Sequence, residues 1–192
     1  MRRQKASSFV LSRLFKFRPT NSALRRTVIH FGTVVLLWAV VGQLNHALTG
    51  MRVYVFVGAL YVIHAALLQP PRSGLVSVLL AGFVCDAATP VTFGTHALLF
   101  AVAHAIVFRL RDRVPRDDIM SRIILALLVN LGLFLAFSFT QIHRSPAPAA
   151  VWPRLIVDLV CSQVFLTLIT PWFLALQSRS LVLARVEDAD FA

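Results

Sequence analysis

Six stretches of apolar residues, each about long enough to cross a lipid bilayer, fill most of this 192-residue chain, and the joints between them are too short to hold a soluble domain. An apolar run of roughly 18 residues or more reads as a transmembrane helix, because a hydrocarbon core about 30 Å thick leaves backbone groups no water to bond. The composition agrees, with 58% hydrophobic and only 14% charged residues. The expected fold class is an all-α membrane protein, a six-transmembrane-helix bundle. Hydropathy and the breakers Gly, Pro and charge place crossings at about residues 27 to 48, 52 to 69, 73 to 89, 93 to 110, 120 to 141 and 151 to 176. Only Gln69, Pro70, Pro71 and Arg72 separate the second from the third, so that pair reads as a helical hairpin. Pro171 is expected to kink or end the last helix, since it lacks the amide hydrogen and clashes with the preceding turn. The domain plan is a basic leader (1–26), a transmembrane unit (27–176) and a cytoplasmic tail (177–192).

The basic residues set an expected orientation. Eight precede the first span with no acid among them, and an alternating topology puts Arg72, Arg109, Arg111, Arg113, Arg116, Arg122, Arg179 and Arg185 on the same side. Only Arg52, Arg144 and Arg154 fall opposite, so both termini are expected in the cytoplasm. The first run is read as a retained span, because it is longer than a usual signal core and no small-x-small cleavage site follows it. Within the leader, Phe9, Val10, Leu14 and Phe17 share one helical stripe while Arg13 and Lys16 lie elsewhere. Two readings stay open: a short helix in the membrane interface or a plain topogenic tail. A formal charge of +11 raises nucleic acid as a partner. The cations sit where topology puts them, with no zinc knuckle, helix-turn-helix pattern or aromatic-basic platform, so no nucleic acid is expected.

Ionisable groups inside spans are costly and are functional candidates by default. The deep ones are Asp86, Asp158, His30, His64, His96 and His104, with Asn130 and Gln163 as neutral companions. Asp86 and His96 lie on helices joined by a short loop and can meet, either as a proton-linked or ligand-binding pair or as an interhelical hydrogen bond that fixes packing. One acid and one histidine make no proton path, which favours packing. His96 and His104 are eight apart, about two turns along one face. Arg154 stands four residues before Asp158, a spacing for local charge neutralisation. Cys85 and Cys161 behave as small hydrophobes unless the third and sixth spans touch. The sequence has no Cys-x-x-Cys or His-Glu-x-x-His spacing, no Gly-x-Ser-x-Gly elbow and no Walker loop, so neither a metal, a cofactor nor catalysis is expected.

The most distinctive stretch runs from Ser77 to Ile106, where Gly82-Phe83-Val84-Cys85-Asp86 is followed by Pro90 and then Phe93-Gly94-Thr95-His96-Ala97-Leu98-Leu99. Gly74, Ser77, Ala81 and Gly82 are small residues that let a neighbouring helix come close. In this segment the chain resembles the rod shape-determining protein MreD family of bacterial cell-wall elongation, marked by a glycine-bearing helix ending in aspartate, a short break, then a glycine opening an apolar helix. Gly82, Asp86, Gly94, Ala97 and Leu98 carry the match, over about thirty positions. The basic leader is longer than the family pattern, and His96 and His104 lie outside it.

The resemblance implies a non-catalytic subunit of the bacterial inner membrane. It would bind a bitopic scaffold of the MreC kind, and through it reach actin-like filaments and the peptidoglycan-synthesis enzymes. Read from the residues themselves, the candidate packing and partner-binding positions are Gly82, Asp86, Gly94, His96 and Asn130, with Arg111, Arg113 and Arg116 as a candidate cytoplasmic docking surface and membrane lipids around the bundle. The implied fold is that of the substrate-capture subunit of energy-coupling-factor transporters. That fold also supplies the rival function, a small-molecule-binding subunit with Asp86, His96 and Asn130 lining a pocket. A lipid-modifying enzyme would need an acid cluster near one surface, and Asp112, Asp117 and Asp118 beside several arginines are read instead as a solvated loop.

Overall fold

The computed structural model describes residues 21–113, 118–142 and 148–183, so the leader up to residue 20 and Arg116 lie outside the described residues, and residues 21–26 of the leader belong to the first helix. These residues form α-helices and short 3-10 turns, and no strand occurs among them. Helix α1 spans Asn21–Leu48, α2 Gly58–Leu68, α3 Pro71–Ala88, α4 Thr95–Leu110, α5 Ile119–Ile142 and α6 Pro148–Leu183. Four of them, α1, α3, α5 and α6, are long and apolar enough to cross a membrane. Their outer faces carry exposed Leu36, Val40, Leu128, Leu168 and Trp172. So much apolar surface is at home in lipid and unfavourable in water. The chain is therefore a multi-pass membrane protein by the length and composition of its helices.

Helix α2 is the exception that organises the rest. It has 11 residues, and all nine from Gly58 to Ala66 are buried. Its length is about 16 Å at 1.5 Å per residue, half of what a crossing needs. The expected helix over 52–69 is thus corrected at its start, because Val53–Val57 is not helical. After the 3-10 turn Thr49–Met51, Arg52 takes a left-handed conformation (φ 55°) and turns the chain back into the bundle. Leu60 and Ile63 of α2 pack against Val34 and Val41 of α1, Val78 and Ala81 of α3, Phe100 of α4, Phe137 of α5 and Leu166 of α6, which form one continuous core. Pro70 and Pro71 make the tight turn into α3, with Pro71 at the first helical position, where its missing amide hydrogen costs nothing.

Helices α3 and α4 are the most intimately paired, whereas α4 and α5 touch only sparsely. Helix α6 runs unbroken for 36 residues through Pro153 and Pro171 to Leu183, so of the kink or end expected at Pro171 the end does not occur. Pro171 leaves the carbonyl of Thr167 without its helical donor. The continuation matters, because it carries Gln177 into the bundle. Cys85 and Cys161 are both free thiols.

Candidate functional site

The alternation of helix direction gathers polar side chains into two clusters, one at each end of the bundle. The first lies where α3 ends and α4 begins. Gly94 is the N-cap of α4, with φ of +94°, a left-handed conformation that a side chain rarely tolerates. Lacking a side chain, it cannot cap the helix itself. Asp86, from the last turn of α3, does so from outside: Oδ2 accepts from the amides of Gly94 (3.0 Å) and Ala97 (3.2 Å). Oδ1 accepts from the amide of His96 (2.8 Å) and sits 2.8 Å from His96 Nδ1. These are amide donors that a new helix leaves orphaned, and the positive end of its dipole faces the carboxylate. Gly82, one turn earlier, makes the approach possible. A Cβ there would stand 2.4 Å from Ala97 Cα.

Asp86 and His96 therefore meet, and both are buried. With three amides and the His96 ring converging on its two oxygens, the carboxylate has the geometry of a helix cap. The His96 ring stacks on Phe137 (centroids 4.3 Å apart) and meets Phe100 edge-on. On the same face of α4, His104 is buried two turns away.

The same end holds a second device that the sequence reading missed. A non-helical backbone inside a bundle must find partners for its amides and carbonyls, and side chains of three helices supply them. The Tyr54 amide donates to Asp158 Oδ1 (2.8 Å), that of Val55 to Asn45 Oδ1 (2.7 Å) and that of Phe56 to Ser162 Oγ (2.9 Å). In return Asn45 Nδ2 donates to the Val55 carbonyl (2.9 Å) and Asn130 Nδ2 to the Phe56 carbonyl (3.1 Å). Asn130 Oδ1 also accepts from the Ala59 amide at 3.4 Å. Asp158 was read as a partner for Arg154. That contact exists at 3.9 Å, yet the guanidinium is largely exposed and the carboxylate is engaged by the Tyr54 amide. Asn45 and Ser162 gave little warning: one sits at a span end, where polar residues are ordinary, and the other is a small hydroxyl that usually bonds its own helix. Ser162 does so too, donating to the Asp158 carbonyl at 2.6 Å.

Beside this segment opens a cavity of about 540 Å3, lined by Tyr54, Phe56, His96, Phe137, Arg154 and Asp158 among others. Asp86 and Asn130 are not on its wall. Of the residues expected to line a pocket together, only His96 does so.

The second cluster lies at the opposite end. His30 of α1 faces Gln177 of α6, with His30 Nδ1 2.7 Å from Gln177 Oε1, and its ring stacks on His64 of α2 at 5.5 Å between centroids. Both ring nitrogens of His64, Nε2 of His104 and the amide nitrogens of Gln69 and Gln177 are buried with no hydrogen-bond partner among the described residues. Gln163 stands apart, tying α6 to the Leu127 carbonyl of α5 at 3.1 Å. At the surface of this end, Arg111 lies 4.0 Å over the Phe108 ring and 3.6 Å from Asp112, and Arg113 is exposed. Asp118 caps α5, accepting from the amides of Met120 and Ser121 (both 3.1 Å) and from the Ser121 hydroxyl. The hydroxyl first, then the two amides, hold its carboxyl below the usual carboxylate range.

Among the described residues, no group of three His, Cys, Asp or Glu side chains is placed to hold a metal ion. No protein-family model, curated protein or solved structure matches the chain.

Proposed function

We propose that this chain is a non-catalytic, multi-pass subunit of the bacterial cell-shape and peptidoglycan-elongation machinery, of the MreD kind, sitting in the inner membrane with both termini in the cytoplasm. It grips an MreC-like bitopic scaffold and links it to the synthetic enzymes. The observation that carries this reading is how the residues of the resemblance divide. Gly82, Asp86, Gly94 and Ala97 build the α3–α4 joint, while Leu98, next in the same motif, is 65% exposed on its outer face beside Phe93 at 68%. A joint fixed from within and apolar without suits a rigid platform for a partner's helix. Crossing by all six spans belongs to the same proposal. Five non-helical residues at up to about 3.3 Å each, added to the 16 Å of α2, bring the second span to the thickness of the hydrocarbon core.

The test is co-expression of the tagged chain with the MreC-like scaffold and solubilisation in mild detergent. Stoichiometric recovery of the scaffold is the expected result. Absence of the scaffold, or recovery undiminished when Leu98 and Phe93 are replaced by alanine, would refute the reading. A second reading, a small-molecule-binding subunit of an energy-coupling-factor type of transporter, is favoured by the cavity beside Tyr54 and Arg154. It requires a ligand bound one to one that raises the Tm of the purified protein, and an Arg154→Ala variant in which the rise disappears.

A further inference from the structure

Where α4 and α5 draw apart, they leave a groove of about 370 Å3 with almost wholly apolar walls, lined by Val102, Ile106 and Leu110 on one side and Leu125, Leu128 and Gly132 on the other. It reaches from Leu99 to Leu110 on α4 and from Leu125 to Ala136 on α5. That is about 16 Å along each axis at 1.5 Å per residue, or roughly one leaflet of a 30 Å hydrocarbon core. Gly132 adds no side chain to it, and a Cβ built there meets nothing within 4 Å. Two cations lie close along the helices to the end of the groove marked by Leu110 and Leu125. Arg109 closes α4 and Arg122 lies in the first turn of α5. The described acids nearby are already committed, Asp112 to Arg111 and Asp118 to capping α5. Arg109 has no ion-pair partner among the described residues, and Arg122 has none either.

We propose that this groove is a binding site for one anionic phospholipid of the adjacent leaflet, its acyl chains laid between α4 and α5 and its phosphate held by Arg109 and Arg122. The chemistry is that of a basic mouth over an apolar slot, which selects for headgroup charge and acyl length together. The site is independent of the partner reading above, because it shares no residue with the α3–α4 joint and requires only a bilayer. It also holds whichever face of the membrane the two arginines occupy.

Native mass spectrometry of the full chain, purified and equilibrated with equal amounts of phosphatidylglycerol and phosphatidylcholine of the same acyl length, tests it. The wild type retains one phosphatidylglycerol per chain, preferred by roughly tenfold or more, the order expected for two cations facing a net negative headgroup in place of a zwitterionic one that carries the same phosphate. Arg109→Gln with Arg122→Gln brings the preference to near unity. Gly132→Leu, whose added Cβ meets nothing within 4 Å and whose side chain takes up space in the slot, lowers retention of both lipids severalfold. Arg179→Gln, a cation of the same end on another helix, leaves the preference unchanged. Equal retention of the two lipids by the wild type overturns the proposal. So does an Arg179→Gln effect as large as that of the double variant, which would mean diffuse attraction. A photocrosslink from position 132 that captures protein in place of lipid overturns it as well, and assigns the groove to a partner helix.

Discussion

The two polar clusters of this bundle, one built on Asp, Asn and Ser and the other on His and Gln, have opposite architectures. At the Asp86 end, side chains serve backbone: Asp86, Asp158, Asn45, Asn130 and Ser162 each hold a main-chain amide or carbonyl that has no helical partner. At the His64 end, side chains face side chains, and several ring and amide nitrogens are buried unpaired. Removing a group from the first cluster orphans what it held, whereas removing one from the second takes away a group that already carries its desolvation cost. The first cluster is therefore expected to determine the fold, and the second to tolerate apolar replacement.

Stability in detergent, read as the midpoint of denaturant unfolding, can break or sharpen that contrast. The largest effect is expected for Gly82→Leu, where the new side chain must displace the Ala97 backbone; a cost of about 3 kcal/mol or more would leave little folded protein. A wild-type midpoint would mean that α3 and α4 slide apart cheaply, and the joint would lose its claim to rigidity. Asp86→Ala comes next, at roughly 3 kcal/mol, since three amides and a ring nitrogen lose their acceptor together. Asn130→Leu is expected to cost about 2 kcal/mol by freeing the Phe56 carbonyl and the Ala59 amide. At the other end, His64→Leu is expected within about 1 kcal/mol of wild type, and on the stabilising side. A loss as large as that of Asn130→Leu would erase the distinction between the two clusters.

The smallest effect concerns capping in water. Asp118 caps α5 much as Asp86 caps α4, but on the surface. Its carboxyl is held below the ordinary 3.8, so the stability it adds is present above that value and is lost as the pH falls through the lowered pKa. The protection of the Met120 and Ser121 amides, taken relative to their intrinsic exchange at each pH, should therefore fall only under strongly acidic conditions in the wild type, and be low at all pH values in Asp118→Ala. Protection unchanged down to pH 2 would show that packing, and not the cap, holds that turn.

Much of the Asp86 end was legible in the sequence. A glycine, an aspartate at a span end, a break and a second glycine are a local pattern, and its meaning is local too: one helix end capping the next. The Val53–Val57 segment was not legible, because hydropathy reports apolar surface and is blind to whether that surface is helical. A buried irregular stretch and a buried helix read alike. The side chains that satisfy it lie up to 108 positions away, at Asn45, Asn130, Asp158 and Ser162, and nothing in a single sequence pairs them. The length of α6 was missed for another reason. Proline disfavours a helix in isolation, but packing carries this one through Pro171 to Gln177, whose carbonyl then meets His30.

The irregular stretch before α2 also bears on the order of synthesis. Tyr54 emerges from the ribosome 104 residues ahead of Asp158, its acceptor. At about 5–20 residues per second, its amide waits roughly 5–20 s for that carboxylate. A translocon that releases spans one by one cannot leave α2 in lipid during this interval without exposing bare peptide groups to hydrocarbon. The second segment is thus the one to linger at the channel or the headgroup layer until the last helix arrives. Nascent chains cut short before Asp158 should still integrate α1, yet leave Tyr54 open to water-borne labels.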